Sequence, residues 1–131
     1  MRIVGHGIDI IEIERIQHML DEHGERFIER CFTALEREYA EAPKTPKLRV
    51  ERYAARFACK EAVFKALGTG WSGGIAWTDV GVLRDAAGRP TVVLAGECEK
   101  LAQRLEIDIW HVSLSHSRGL AVASVIAGCS H

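Results

Sequence analysis

Two acids sit in settings that could do chemistry: Asp9, within Gly5-His6-Gly7-Ile8-Asp9-Ile10, and Glu61, within the run Arg56 to Gly70. Glu61 and Lys65 are one helical turn apart and project from the same face, with Phe57 one turn earlier. A Gly68-Thr69-Gly70 exit follows directly. Brought together, Asp9 and Glu61 would make a hard-oxygen site for a divalent cation beside basic phosphate ligands. Each acid also has an ordinary reading. Asp9 could be a helix N-cap, and Glu61 a surface ion pair with Lys65, worth a few tenths of a kcal/mol. Against the second stand a glutamate placed on the phenylalanine stripe and a glycine-rich exit suited to close backbone approach by a ligand.

Mg²⁺ is the natural ion for such a site, because it prefers oxygen donors and commonly takes one or two carboxylates plus substrate phosphate. Zinc has no support: the histidines at 6, 18, 23, 111, 116 and 131 lack HExxH or paired Cys/His spacing. The loop from Gly68 to Gly74 is neither a Walker sequence nor a Rossmann fingerprint, and by itself is a helix-terminating loop. In His111-Val112-Ser113-Leu114-Ser115-His116, strand alternation places His111, Ser113 and Ser115 on one face. That row either lines a pocket or faces solvent. A serine-hydrolase triad is disfavoured by the lack of a Gly-x-Ser-x-Gly elbow.

These groups need elements to carry them. Ile3 to Ile8 reads as a strand, and Ile13, Ile16 and Leu20 recur at helical spacing up to Gly24. Glu25 to Phe32 continues as a short helix. Thr33 and Glu36 form a capping box for a helix ending near Ala42, before Pro43. After the turn Lys44-Thr45-Pro46, residues 47–67 predict a helix of about 30 Å. Val80–Leu83 and Thr91–Leu94 read as strands around the turn 85–88, and Glu97 to Leu105 as a helix. Ile109–His116 and Leu120–Ala127 read as a hairpin. One α+β domain over residues 1–131 is expected, with no repeat or linker.

Composition narrows the class. With 131 residues, 47% apolar and 27% charged, the chain suits a single globular domain, and no apolar run reaches the length of a membrane span. The N-terminal residues lack a signal-like apolar stretch, and Cys31, Cys59, Cys98 and Cys129 have no Cys-x-x-Cys spacing; a cytoplasmic protein with reduced thiols is expected. Net charge is −1, yet Lys44 to Lys65 holds seven Lys/Arg against two acids, while Asp9 to Glu41 holds ten acids against four arginines. A local basic excess of this size suits a small polyanion; nucleic acid calls for a more basic domain.

The motifs, taken together, resemble the 4′-phosphopantetheinyl transferases. Gly5-x-Gly7-Ile8-Asp9-Ile10, with Arg15-Ile16, is similar to their first signature. Arg56-Phe57-Ala58-x-Lys60-Glu61-Ala62-x-x-Lys65-Ala66-x-Gly68-Thr69-Gly70 is similar to the second, and His111 to His116 to the closing strand motif. Order, spacing and length resemble the short bacterial type over the whole chain. Cys59 stands where a residue like alanine or valine is usual, and His6 is polar for its position.

The resemblance implies an antiparallel sheet packed against a long central helix. It implies transfer of the 4′-phosphopantetheine arm of coenzyme A to a serine of apo-acyl carrier protein, releasing adenosine 3′,5′-bisphosphate. By likeness Asp9 and Glu61 would bind Mg²⁺, and Lys65, Arg56 and Gly68-Thr69-Gly70 would hold coenzyme A phosphates. His111 and Ser115 would line the pocket. The base would be a water polarised by the metal and Glu61, Glu61 itself, or His111. Arg15, Arg26 and Arg30 would receive the acidic carrier, despite the net negative segment around them. Homotrimers with interfacial sites are implied. The rival readings are a metal-dependent phosphoesterase acting on a nucleotide and a non-catalytic coenzyme A-binding module.

Overall fold

The computed structural model describes residues 1–69 and 74–131. In chain order it contains β1 (Arg2–Glu12), α1 (Ile13–His23), α2 (Glu25–Cys31), α3 (Ala34–Glu41), α4 (Pro46–Leu67), a 3₁₀ turn (Trp77–Asp79), β2 (Val80–Arg84), β3 (Pro90–Leu94), α5 (Gly96–Arg104), β4 (Ile109–Ser117) and β5 (Leu120–Cys129). β1 and β4 flank β5 in an antiparallel three-stranded sheet, and β2 pairs with β3 in a separate hairpin. The expected α+β architecture is present, with α4 at its centre.

Local chemistry fixes the ends of α4. Pro46 occupies the first turn, where its missing N–H costs nothing. Gly68 ends the helix at φ 77°, a left-handed conformation that glycine adopts freely, and its N–H bonds to the carbonyls of Phe64 and Lys65. Between these ends the helix is buried on most sides. It packs against β1 and β5 on one flank and against α3 and β2 on the other. A helix enclosed in this way carries apolar residues around most of its circumference.

The capping box on α3 has a second role. Thr33 N–H donates to Glu36 Oε1 at 2.8 Å, and Glu36 N–H donates to Thr33 Oγ1 at 3.3 Å. Glu36 is also completely buried, accepts from Val82 N–H at 2.9 Å, and forms an ion pair with Lys60 Nζ at 2.6 Å. Lys60 donates as well to the carbonyls of Trp77 and Val80. One buried lysine therefore ties α4 to α3 and to the start of β2. Burial lowers the pKa of the ammonium and Glu36 raises it.

The three-stranded sheet has unlike faces. Ala121, Ala123, Val125 and Ala127 of β5 are buried on the face turned to α4. Register places Gly5, Gly7, Asp9 and Ile11 of β1 and Val112 and Leu114 of β4 on that face. The other face carries His6, Ile8, Ile10, Val122, Ser124, Ile126, His111, Ser113 and Ser115. Ile8 is 55% exposed and Ile10 61% exposed.

Candidate active site

Two glycines set the spacing of the site. A Cβ at Gly5 would stand 2.0 Å from Ala66 O, and one at Gly7 would stand 1.8 Å from Ala62 O. Neither position can hold a side chain while β1 lies this close to α4. Asp9 follows Gly7 by two residues and shares its face, so it emerges beside the last turns of α4. There Lys65 Nζ lies 3.1 Å from Asp9 Oδ1 and donates to Ile8 O at 2.9 Å.

Glu61 is the third member, half-buried one turn before Lys65. Burial first, and then the nearby Asp9 carboxylate, push its carboxyl above the ordinary glutamate range, while Lys65 and Arg15 pull it down. A half-buried carboxyl with a second carboxylate beside it favours a cation there, and Lys65 supplies part of that charge. No cluster of three or more His, Cys, Asp or Glu exists among the described residues. The donor set fits Mg²⁺, which needs one or two carboxylates and leaves its remaining positions to water and substrate phosphate.

Asp9 is not the helix N-cap weighed from its sequence. β1 continues through it to Glu12, because β5 supplies ladder partners along the whole length, with Asp9 opposite Ala123. Gly68 and Thr69 follow α4 directly, with Gly68 exposed and nothing within 4 Å of the position of a Cβ there. Gly70, the last residue of the expected phosphate loop, lies outside the described residues.

Three expected site residues are placed elsewhere in the chain. His111 and Ser115 are exposed on the open face of the sheet, opposite Ile126 and Val122, whereas Asp9 lies on the helix-facing side. The alternation that groups them also turns them away from α4. Arg56 is 2% exposed and packs over Tyr39 with its ring centroid 4.1 Å away. It shares the Lys60 face of α4, about 140° around the helix from Glu61. The basic stretch from Lys44 to Lys65 is accordingly not one surface.

The expected docking arginines also divide. Arg26 and Arg30 flank an apolar cavity of about 320 Å³ whose walls include Met19, Phe27, Phe57 and Trp77. Arg15 lies apart from them, close enough to Glu61 to lower its pKa. The acidic excess around these arginines is partly tied up: Glu25 pairs with Arg37, Glu41 with Arg49, and Glu36 with Lys60. The sequence reading missed Glu36 and Lys60 as a buried pair, since their further partners, Val82 N–H for Glu36 and the carbonyls of Trp77 and Val80 for Lys60, come from distant residues of the 3₁₀ turn and β2.

Known proteins resemble this chain over nearly its whole length. Residues 5–125 match the profile of the 4′-phosphopantetheinyl transferase superfamily. A holo-[acyl-carrier-protein] synthase of Koribacter versatilis is 46% identical over 124 residues, covering 95% of this chain and 97% of that protein. One of Magnetococcus marinus is 46% identical, covering 97% of this chain and 94% of that protein. The crystal structure of a holo-(acyl-carrier-protein) synthase from Bacillus anthracis in complex with CoA (3′,5′-ADP) superposes with a TM-score of 0.80 at 41% identity, covering 99% of this chain and 100% of that one. The chain belongs to the 4′-phosphopantetheinyl transferase superfamily and, within it, to the holo-[acyl-carrier-protein] synthase enzymes.

Proposed function

We propose that the enzyme moves the 4′-phosphopantetheine arm of coenzyme A onto a serine hydroxyl of an apo-acyl carrier protein, in a Mg²⁺-dependent reaction that releases adenosine 3′,5′-bisphosphate. The observation that carries this reading is the convergence of Asp9, Glu61 and Lys65 where β1 crosses α4. Asp9 and Glu61 would hold the cation, which neutralises and polarises the diphosphate when bound. Attack on a phosphoanhydride needs alignment and charge stabilisation more than covalent help from the protein. Lys65 is exposed on a flexible stem and can turn from Asp9 toward charge growing on the departing bisphosphate. The exit Gly68-Thr69, whose N–H groups close the helix onto Phe64 O, lies at the same end of α4.

The serine must lose a proton as it attacks. Glu61, whose proton affinity is raised by burial and by Asp9, is the group of this chain suited to accept it, directly or through a water. The carrier would dock at the Arg26 and Arg30 cavity, whose cationic rim and apolar floor suit an acidic helix bearing an apolar side chain.

We further propose a homotrimer of this one-domain chain. The open sheet face, with Ile8, Ile10, Val122 and Ile126 side by side, is the apolar surface that neighbouring copies would cover. Such packing would bring His111 and Ser115 of one copy toward the acids of another. Among the described residues no helix is long and apolar enough to cross a membrane, and the four free thiols are buried, which suits a reducing cytoplasm. Incubation with coenzyme A, Mg²⁺ and apo-carrier tests the activity: the carrier gains about 340 Da, the mass of the arm. Cleavage of coenzyme A without carrier modification supports a phosphoesterase instead.

A further inference from the structure

Lys65 already neutralises the carboxylate that a divalent cation needs. Its ammonium lies 3.1 Å from Asp9 Oδ1 and donates to Ile8 O at 2.9 Å, so two of its three donors are taken up by β1. The same charge pulls the Glu61 carboxyl down, against burial and Asp9. The Asp9 carboxylate has no other ion-pair partner among the described residues. Arg15 also acts on Glu61, but it pairs with neither acid there. A divalent ion that binds Asp9 therefore meets this ammonium directly. Repulsion between a double and a single positive charge about 6 Å apart weakens binding of the ion about tenfold even at the dielectric constant of water.

The ammonium is free to leave. The Lys65 side chain is 53% exposed and that of Asp9 17%, and an ion pair open to solvent on this scale contributes little. The four-carbon stem rotates, and its donors are not bound to one geometry. What it would leave for is an anion that arrives with the cation. We propose that Lys65 is the resident counter-ion of the acid pair, and that a divalent cation entering at Asp9 releases it to the diphosphate of coenzyme A. One side chain then couples the two ligands: the cation frees the ammonium for the diphosphate, and the diphosphate draws the ammonium away from the cation. The coupling is equal in both directions, as linkage requires. Competition for Asp9 involves only the acids and the cation; the handover to the diphosphate rests on the coenzyme A reading above.

Mn²⁺ titrated alone into the full chain, with the free ion counted by electron paramagnetic resonance, tests the competition without coenzyme A, carrier or turnover. Lys65→Met keeps an unbranched stem and removes the charge; it should bind Mn²⁺ about tenfold more tightly than the parent. Arg15→Gln measures the mere loss of a nearby positive charge and should tighten binding by less than about threefold. Asp9→Asn should weaken binding in the parent and in the Lys65→Met background alike. Calorimetry with coenzyme A then tests the handover. Lys65→Met should lower coenzyme A affinity about tenfold with Mg²⁺ present, the loss expected of a charged hydrogen bond. With a chelator the loss should stay below about threefold, because Asp9 then holds the lysine. Mn²⁺ affinity unchanged in Lys65→Met, or raised no more than in Arg15→Gln, overturns the proposal. So does an equal loss of coenzyme A affinity with and without the ion. Tighter Mn²⁺ binding in Lys65→Met, joined to a parent enzyme that adds no mass to the carrier, supports the competition and overturns the transferase reading instead.

Discussion

Replacing Gly7 by alanine should separate Asp9 from Glu61 without touching either one. The new Cβ would stand 1.8 Å from Ala62 O, 2.8 Å from Ala62 C and 3.0 Å from Ala66 N. Real Cβ atoms essentially never approach within 3.0 Å, so β1 and α4 must part by more than 1 Å at this point. The obstacles are helix backbone, which cannot rotate away as a side chain would. Overpacking of this kind costs about 1–3 kcal/mol, a fall in Tm of roughly 3–15 °C for a domain of this size. Asp9 lies two residues further along the same face, and its bond to Lys65, like that of Ile8 O, spans the widened gap. A misplacement of 1 Å can cost about 100-fold in rate. Transfer to apo-carrier, followed by mass spectrometry below the variant's melting temperature, should show kcat/KM reduced by about that factor. Gly81→Ala is the control, because its Cβ would meet only ordinary contacts, 3.6 Å from Val93 O and 3.8 Å from Thr33 Cγ2. A folded Gly7→Ala enzyme within about threefold of the parent would refute the view that this close approach sets the site.

Glu61→Gln should abolish transfer while leaving the fold intact, checked by turnover and circular dichroism together. Because burial and Asp9 raise the Glu61 pKa, the metal-free folded chain holds this proton more tightly than the unfolded chain. That contribution to stability is fully present below the ordinary glutamate range and is lost as pH rises to the raised value; melts with a chelator should show it as a difference between parent and Glu61→Gln. A divalent cation competes with the same proton, so its affinity should fall on acidification through that range, and calorimetry at two pH values measures this. Lys60→Met leaves the Glu36 carboxylate buried without its counter-ion and should cost about 3–5 kcal/mol by urea denaturation. The double variant Lys60→Met with Glu36→Leu should be less destabilised than the sum of the single changes. If sites form between copies, a mixture of Glu61→Gln and His111→Ala enzymes, each impaired alone, should recover about a quarter of parent activity after subunit exchange, whereas sites complete within one chain give no recovery.

Features that depend on neighbours in sequence were legible before any coordinates. Thr33 and Glu36 announce a helix start because the capping box closes within four residues. Gly68 ends α4 as its sequence announces, whereas Pro46, read as part of the preceding turn, is the first residue of the helix. Asp9, Glu61 and Lys65 were legible as a set through the motif spacing, and the structure brings them together. What sequence could not give is which side of an element a distant partner occupies. His111 alternates correctly with Val112, but only the pairing with Ile126 tells that its face is the open one. Lys60 reads as one more positive charge in a basic stretch until the carbonyls of Trp77 and Val80 are found around it. Arg56 carries the same ambiguity, resolved by Tyr39 from a separate helix.

The contrast between Lys60 and Glu61 explains why α4 must be both buried and exact in its placement. Consecutive residues on a helix point about 100° apart, so one motif feeds two flanks at once. Lys60 reaches into the flank closed by α3 and β2, where its three partners leave it no freedom. Glu61 turns toward β1, where the missing side chains of Gly5 and Gly7 let the strand come within reach. A shift or rotation of α4 that improved one set of contacts would degrade the other, so the buried ion pair on one flank holds the acid pair in register on the other. The same rigidity carries a consequence for assembly. Since β5 fixes Asp9 and His111 on opposite faces of one sheet, no motion short of unfolding unites them in one chain. Any part His111 plays in transfer has to be played in the active site of a neighbour.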